Sequence, residues 1–290
     1  MQQLTKNVWV ENGKRGSNHG VVTTSEGVVL IDGPHKPSDA LALKAYLETV
    51  GPVRYILNTE PHGDHWTANA YFDAPAIAHE GVRVRMAETN MAEYADRLRT
   101  FGPDEPQHLA GGYRPNAPVI TFKQEMTLHV GNHTFRLVSM PGHTPAQAAI
   151  VVEEEGVVFT SDNIFCKVHT WLQEADPTRW KQALESLRAL PQDSFVPGHG
   201  PLCGKEYLSE QAGWIDEWVD YVRKGVERGM TREEAVQSLT ELTGRYPMDV
   251  EQEGMAPMVM RLNVANLYDW VKGEGIHQPG KSPYSSTEDS

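Results

Sequence analysis

Between Glu60 and His65 the chain reads Glu-Pro-His-Gly-Asp-His, which puts two imidazoles and two carboxylates into six residues. Glu60, His62 and Asp64 lie two apart, while Asp64 and His65 are consecutive in a turn that Gly63 is expected to bend. One tight loop of this kind can supply two adjacent metal ions. Three more short stretches offer donors, each after a β-rich run: PGHTP with His143, TSDN with Asp162 and PGHG with His199. Strand ends along one sheet edge can meet in space. Imidazole and carboxylate suit zinc, iron or manganese. A pair of such ions ~3.5–4 Å apart can hold a bridging hydroxide and polarise a substrate oxygen, which is the chemistry of hydrolysis.

The elements that must position these donors follow from hydrophobic rhythm. NVWV, GVVTT, GVVLIDG and RYILNT read as strands, with a helical pattern through SDALALKAYLETV between the last two. Residues 81–99 read as helix, and the Gly- and Pro-rich stretch from Phe101 to Pro118 as an extended loop. A second run of strands follows in VITF, MTLHV, HTFRLVSM, AAIVVEE and GVVFTSD. After it comes a helix with Asp176 as N-cap and Pro177 at its first position. Two similar halves, strands first and helices after, predict two sheets packed face to face with helices outside. From Lys205 to Val271 the periodicity is helical, so the expected organisation is a catalytic domain over 1–204, a helical extension over 205–272 and a flexible tail over 273–290.

The order of the motifs resembles the metallo-β-lactamase superfamily, whose first metal motif is His-x-His-x-Asp-His where this chain has Glu-x-His-x-Asp-His. LIDG with Asp32, PGHT with His143, SD with Asp162 and PGHG with His199 follow in the family's order, and the match runs from Val8 to Gly204. Carried over position by position, the resemblance implies that Glu60, His62 and His143 hold one metal, that Asp64, His65 and His199 hold the other, and that Asp162 bridges both. It implies a four-layer αββα sandwich, an α/β (α+β) fold with the metals at one edge, and two divalent ions, zinc first with iron or manganese as alternatives. Asp32 is read as a support of the metal loop or a turn-capping acid, outside the ligand set.

Glu60 is the departure from the pattern, and its effect is one of charge. Two divalent ions with a hydroxide and two aspartates carry a net charge of +1, which Glu60 brings to zero. The cluster becomes harder and more symmetric, and the pKa of its water should rise above the ~7 of strongly activating zinc sites. A direct metal contact and a role in orienting His62 both remain open for it. Asp64 is the candidate for orienting the nucleophile and shuttling its proton. Trp66, His169 and Trp171 are candidates for substrate binding, with a structural loop or the core as their other placements. His19, His35, His79, His108, His129, His133 and His277 fall in no motif and read as solvent-facing or internally satisfied. Cys166 and Cys203 are too far apart in sequence for a Cys-x-x-Cys motif and read as reduced, inert thiols.

The whole chain narrows the function classes. A net charge of −13 with scattered lysines and arginines argues against nucleic acid as partner. No stretch approaches the ~18 apolar residues of a membrane span, and the first residues lack the basic flank and apolar core of a signal peptide. A cytoplasmic protein acting on a small molecule is expected, as a monomer or a homo-oligomer. Hydrolysis of a carbonyl compound (lactone, ester, thioester, amide or β-lactam) is the leading reading. A diiron protein with dioxygen chemistry and a metal-binding module without catalysis are the alternatives.

Overall fold

The computed structural model describes residues 1–239 and 245–273. Seven strands form the first sheet in sequence order: β1 (Gln2–Gln3), β2 (Val8–Glu11), β3 (His19–Thr24), β4 (Gly27–Ile31), β5 (Val53–Asn58), β6 (Ala76–His79) and β7 (Ile120–Phe122). Pairing is antiparallel from β1 to β4 and parallel from β4 to β7. The second sheet has five strands, β8 (Glu125–Val130), β9 (His133–Ser139), β10 (Ala148–Val152), β11 (Val157–Phe165) and β12 (Ser194–His199), in the order β12-β11-β10-β9-β8, with only β11 and β12 parallel.

Alternation along each strand decides the layers. In β3 and β4, Val22, Val29 and Ile31 enter the core between the sheets, while Val21, Val28 and Leu30 face the outer helix α1 (Pro37–Val50). In β10, Ala148, Ile150 and Val152 meet the first sheet, and Ala149 and Val151 face the helices beyond the second. Strands covered on both faces are apolar throughout, which is why GVVLI and AAIVV show no polar alternation. The outer layer on the second sheet is built from α6 (Pro177–Ala189), α7 (Tyr207–Glu227), α8 (Arg232–Ser238) and α9 (Ala256–Lys272). The result is the expected αββα sandwich with a helical extension.

The extension shares one hydrophobic cluster with β10, β11 and α6. Trp214 and Trp218 on α7 are 1% and 0% exposed within it. At about 25 cal/mol per Å² over the ~150–250 Å² of a tryptophan, each contributes on the order of 4–6 kcal/mol to docking the helices. The tail reading, from residue 274 onward and with it His277, lies outside the described residues.

Three local expectations change. Residues 81–99 are two helices, α3 (Glu80–Glu88) and α4 (Met91–Arg99), because Asn90 caps the second by accepting from the amides of Ala92 and Glu93. VITF joins the first sheet beside β6, not the second. The stretch 101–118 contains a short helix, α5 (Glu105–His108), anchored where Ser38 donates through its amide and hydroxyl to the Glu105 carboxylate.

Candidate metal centre

The chain leaves β5 at Asn58 and passes through Glu60 into the four-residue helix α2 (Gly63–Trp66). Gly63 does not bend a turn, contrary to expectation. It opens this helix, and glycine is required because a Cβ there would lie 2.1 Å from the Tyr94 hydroxyl. His143 sits between β9 and β10, Asp162 within β11, and His199 ends β12. Ser161 adopts φ +53 beside a register shift in the β11–β12 pairing, a local bulge of the kind that re-aims side chains next to functional sites. Gly198 makes room for the result, since a Cβ on it would fall 1.9 Å from Asp162 Oδ1.

All seven predicted metal residues converge. Glu60, His62, His143 and Asp162 form one group of donors and Asp64, His65 and His199 a second, each group with its donor atoms within 4.8 Å of one another. Asp162 lies between the groups, with Oδ1 3.2 Å from His65 Nε2 and Oδ2 3.5 and 3.4 Å from the Nε2 atoms of His143 and His199. Asp64 Oδ2 is 3.4 Å from His199 Nε2. Glu60 is fully buried, with Oε1 2.7 Å from His62 Nδ1 and 3.3 Å from His65 Nε2, and Oε2 3.8 Å from His143 Nε2.

Each imidazole is held from its far side. His143 Nδ1–H donates to the Trp171 carbonyl at 2.9 Å, which leaves Nε2 as a lone-pair donor facing the cluster. His65 Nδ1 and His199 Nδ1 donate to Asp32 and Asp249 at 2.9 and 2.8 Å. His62 is turned the other way: Nδ1 faces Glu60 and His143, while Nε2 lies 3.5 Å from Glu174, whose carboxylate Arg85 grips through both Nη atoms at 3.0 and 2.6 Å. Asp32, held in the left-handed region at φ +54, also accepts from the amide and hydroxyl of Thr59, so it supports the metal loop as expected.

The site fits cations. His65 Nε2 and Asp162 Oδ1 are buried and have no hydrogen-bond partner although they lie close together, so these donors converge on shared space and not on one another. Without a cation, protons take its place. Burial disfavours charge on His62, yet Glu60 and Glu174 raise its pKa well above the ordinary imidazole range. The same opposition, with Asp162 as the strongest raising influence, puts His65 and His199 well above it too. Burial would raise Asp162 and Asp64, but the neighbouring imidazoles hold both carboxylates below their usual range. His143, for which burial dominates, is lowered.

Above the cluster opens a cavity of about 120 Å³. Of the three substrate-binding candidates Trp171 lines it; Trp66 and His169 do not. Trp66 is buried beneath the metal loop, donating to the Pro61 carbonyl and packed on Tyr94, and His169 is buried edge-on against Trp218 of α7. His35, expected to be solvent-facing or satisfied, is instead half-buried at the cavity wall, with both ring nitrogens buried and neither partnered. Burial holds its pKa down to about 3, so the ring is neutral. His19, at the start of β3 in the first sheet, is buried with Nδ1 unpartnered. Cys166 and Cys203 are free thiols, as expected.

Sequence reading missed the residues that brace the candidate ligands. Asp249, between α8 and α9, belongs to the extension, and Glu174 follows β11. Asn263 and Asn266 of α9 fix the segment carrying Trp171 and Glu174: Asn263 accepts from the Leu172 amide and donates to the Thr170 carbonyl, and Asn266 donates to the carbonyls of Leu172 and Ala175.

A sequence profile described as the metallo-beta-lactamase superfamily matches residues 12–199. A linear primary-alkylsulfatase from a Pseudomonas species is 20% identical over 298 residues, covering 88% of this chain, and the chain spans 56% of that relative's length. A hydroxyacylglutathione hydrolase from Mesorhizobium japonicum is 26% identical over 225 residues, covering 77% of this chain and 75% of its own. Among solved structures, a metallo-beta-lactamase family protein from Thermus thermophilus superposes with a TM-score of 0.64 at 18% identity, covering 96% of this chain and 98% of its own. At that identity the likeness is one of fold. Among the described residues, no helix is long and apolar enough to cross a membrane.

Proposed function

Because the chain belongs to the metallo-β-lactamase superfamily, whose model matches residues 12–199, we propose that it is a hydrolase that uses two divalent ions to cleave a small carbonyl compound of the ester, thioester, lactone, amide or β-lactam type. The observation that carries this reading is the buried convergence of four imidazoles and three carboxylates at the floor of a cavity, with His65 Nε2 and Asp162 Oδ1 left without hydrogen-bond partners. Glu60, His62, His143 and Asp162 would hold one ion, and Asp64, His65 and His199 with Asp162 the other. Bound there, the ions supply Lewis-acid polarisation of a substrate oxygen and activation of water at accessible pH.

The chain's own residues set the rest. Asp32, Asp249 and the Trp171 carbonyl fix which nitrogen of His65, His199 and His143 faces the cluster, and Glu174 does so for His62 from the opposite side. Glu174 therefore occupies the orienting position that Glu60 could otherwise have filled. Glu60 lies on the cluster side of His62, which supports direct metal contact. Asp64 is the most exposed of the cluster carboxylates, at 16% against 0% for Glu60 and 4% for Asp162, so it is the carboxylate best placed to carry a proton to or from a bound substrate. Each group counts two imidazoles and two carboxylates when Asp162 is shared, a donor set that suits iron or manganese beside zinc.

The test is metal analysis of protein purified without added metal, combined with a screen of ester, thioester, lactone, amide and β-lactam substrates before and after chelation. Turnover that chelator abolishes and a divalent ion restores supports the reading. A metal-replete protein that turns over none of these classes contradicts it.

A further inference from the structure

The cavity wall inverts the charge of the chain. In a molecule of net charge −13, the described residues lining the cavity outside the metal group include two arginines, Arg15 and Arg97, and no carboxylate. Arg15 stands on the loop between β2 and β3. Its guanidinium lies over the Phe101 ring, 4.1 Å from the centroid, and its Nη1 donates to the Glu251 carbonyl. That uses one edge of the fork. On the other edge, Nε is buried without a partner and Nη2 meets only the thioether of Met255 at 3.7 Å, a weak acceptor. The Nε–Nη2 edge presents two parallel N–H bonds at the spacing of a carboxylate's two oxygens.

His35 adds to the same wall. Its ring packs edge-on against Phe101 at 4.7 Å, its stem is pinned by Gly16, where a Cβ would fall 2.4 Å away, and both its nitrogens are unpartnered. A neutral imidazole offers one N–H to an incoming oxygen. Around these polar groups Phe101, Trp171 and Met255 give an apolar lining.

We propose that Arg15, with His35 beside it and Arg97 at the cavity rim, forms a subsite for an oxyanion of the substrate, a carboxylate first, so that the molecule cleaved at the metal group is a small amphiphilic acid. The identity of the reacting bond rests on the hydrolase reading; the anion subsite does not. Burying a guanidinium edge with nothing to donate to is costly, and an oxyanion removes that cost while its apolar body covers Phe101 and Met255. A charge-assisted bidentate contact of this kind corresponds to tenfold or more in affinity, at about 1.5–3 kcal/mol.

Two readouts on the metal-loaded, full-length protein test this. In the first, binding of 4-fluorophenylacetate and of its neutral counterpart 4-fluorophenylacetamide is followed by fluorine NMR for the parent, Arg15→Met and Arg15→Lys. The parent should prefer the carboxylate about tenfold or more, Arg15→Met should abolish the preference, and Arg15→Lys, which keeps the charge but not the fork, should retain part of it. In the second, the ratio of kcat/KM for mono-4-nitrophenyl glutarate to that for 4-nitrophenyl butyrate should fall about tenfold in Arg15→Met. Equal binding of acid and amide by the parent overturns the subsite. So does a preference that both variants keep, which would place the carboxylate on the metal ions instead. If neither ester is cleaved but the carboxylate preference still depends on Arg15, the subsite stands and simple esters are removed from the hydrolase reading.

Discussion

In the Glu60 group, one imidazole donates to a neutral carbonyl, that of Trp171, and the other faces a carboxylate, Glu174, already neutralised by Arg85. In the Asp64 group, both imidazoles donate to buried carboxylates, Asp32 and Asp249. A carboxylate behind an imidazole makes it a more basic donor than a carbonyl does. The group with the weaker backing is the one that contains the extra carboxylate, Glu60. Charge missing from the outer contacts of one half is thus supplied inside it. The halves also draw on different parts of the chain, since Asp249 comes from the helical extension, whereas the Glu60 group is braced by Arg85 on α3 and by the segment after β11.

Four perturbations sharpen or break this comparison. The largest effect is expected from Asp162→Ala, because Asp162 approaches His143 of one group and both His65 and His199 of the other; both ions should be lost and activity abolished, as read by metal content and turnover. Full occupancy of either group in that variant would break the symmetry claimed for Asp162. Next come the braces. Glu174→Ala should weaken binding to the Glu60 group alone, and Asp249→Ala to the Asp64 group alone, each by about 10–100-fold. Cobalt titration followed by visible spectroscopy measures this, and a variant that weakens both groups equally would show that the braces are not independent.

The third effect is pH dependence. In the metal-free protein one imidazole of the Glu60 group, His62, and two of the Asp64 group, His65 and His199, have pKa values well above the ordinary range, and metal must displace those protons. Below the raised values, affinity should fall with each unit of decreasing pH by about tenfold for the first group and about a hundredfold for the second. Equal slopes would contradict the assignment of protons. For the metal-free fold the sign is opposite: raised imidazole pKa values stabilise it fully below the unfolded-state range, and that contribution is lost as pH rises through the folded-state values. The smallest effect is Gly63→Ala. Its Cβ forces Tyr94 to move and strains the contact of Tyr94 with Thr67, a destabilisation of about 1–3 kcal/mol that thermal unfolding would show as a lower Tm.

What can be read from sequence depends on whether a residue's role is local. The donors sit in short loops directly after strands, so types and order alone point to them, and the apolar runs of β4 and β10 point to sheets covered on both faces. Asp249, Glu174 and Arg85 carry no such signal. They are three charged side chains among 39 acids and 26 bases, and only the return of α9 and the packing of α3 bring them to the site. Arg15 and His35 likewise meet only because a hairpin loop and the turn after β4 converge. Gly63 misleads because a glycine required by a distant Tyr94 looks, in sequence, like one chosen for its backbone freedom. The break at Asn90 does have a local signal, an N-cap three residues before Glu93, hidden by the apolar periodicity on either side.

The most direct test of the two-group arrangement is the metal stoichiometry of the parent and of Glu60→Ala at saturating metal, by equilibrium dialysis and elemental analysis. Two ions per chain in the parent and one in Glu60→Ala are the predicted values, because Glu60 stands on the cluster side of His62 and Glu174 already fills the orienting position behind it. A Glu60→Ala protein that holds two ions as tightly as the parent, or a parent that saturates at one, would contradict it.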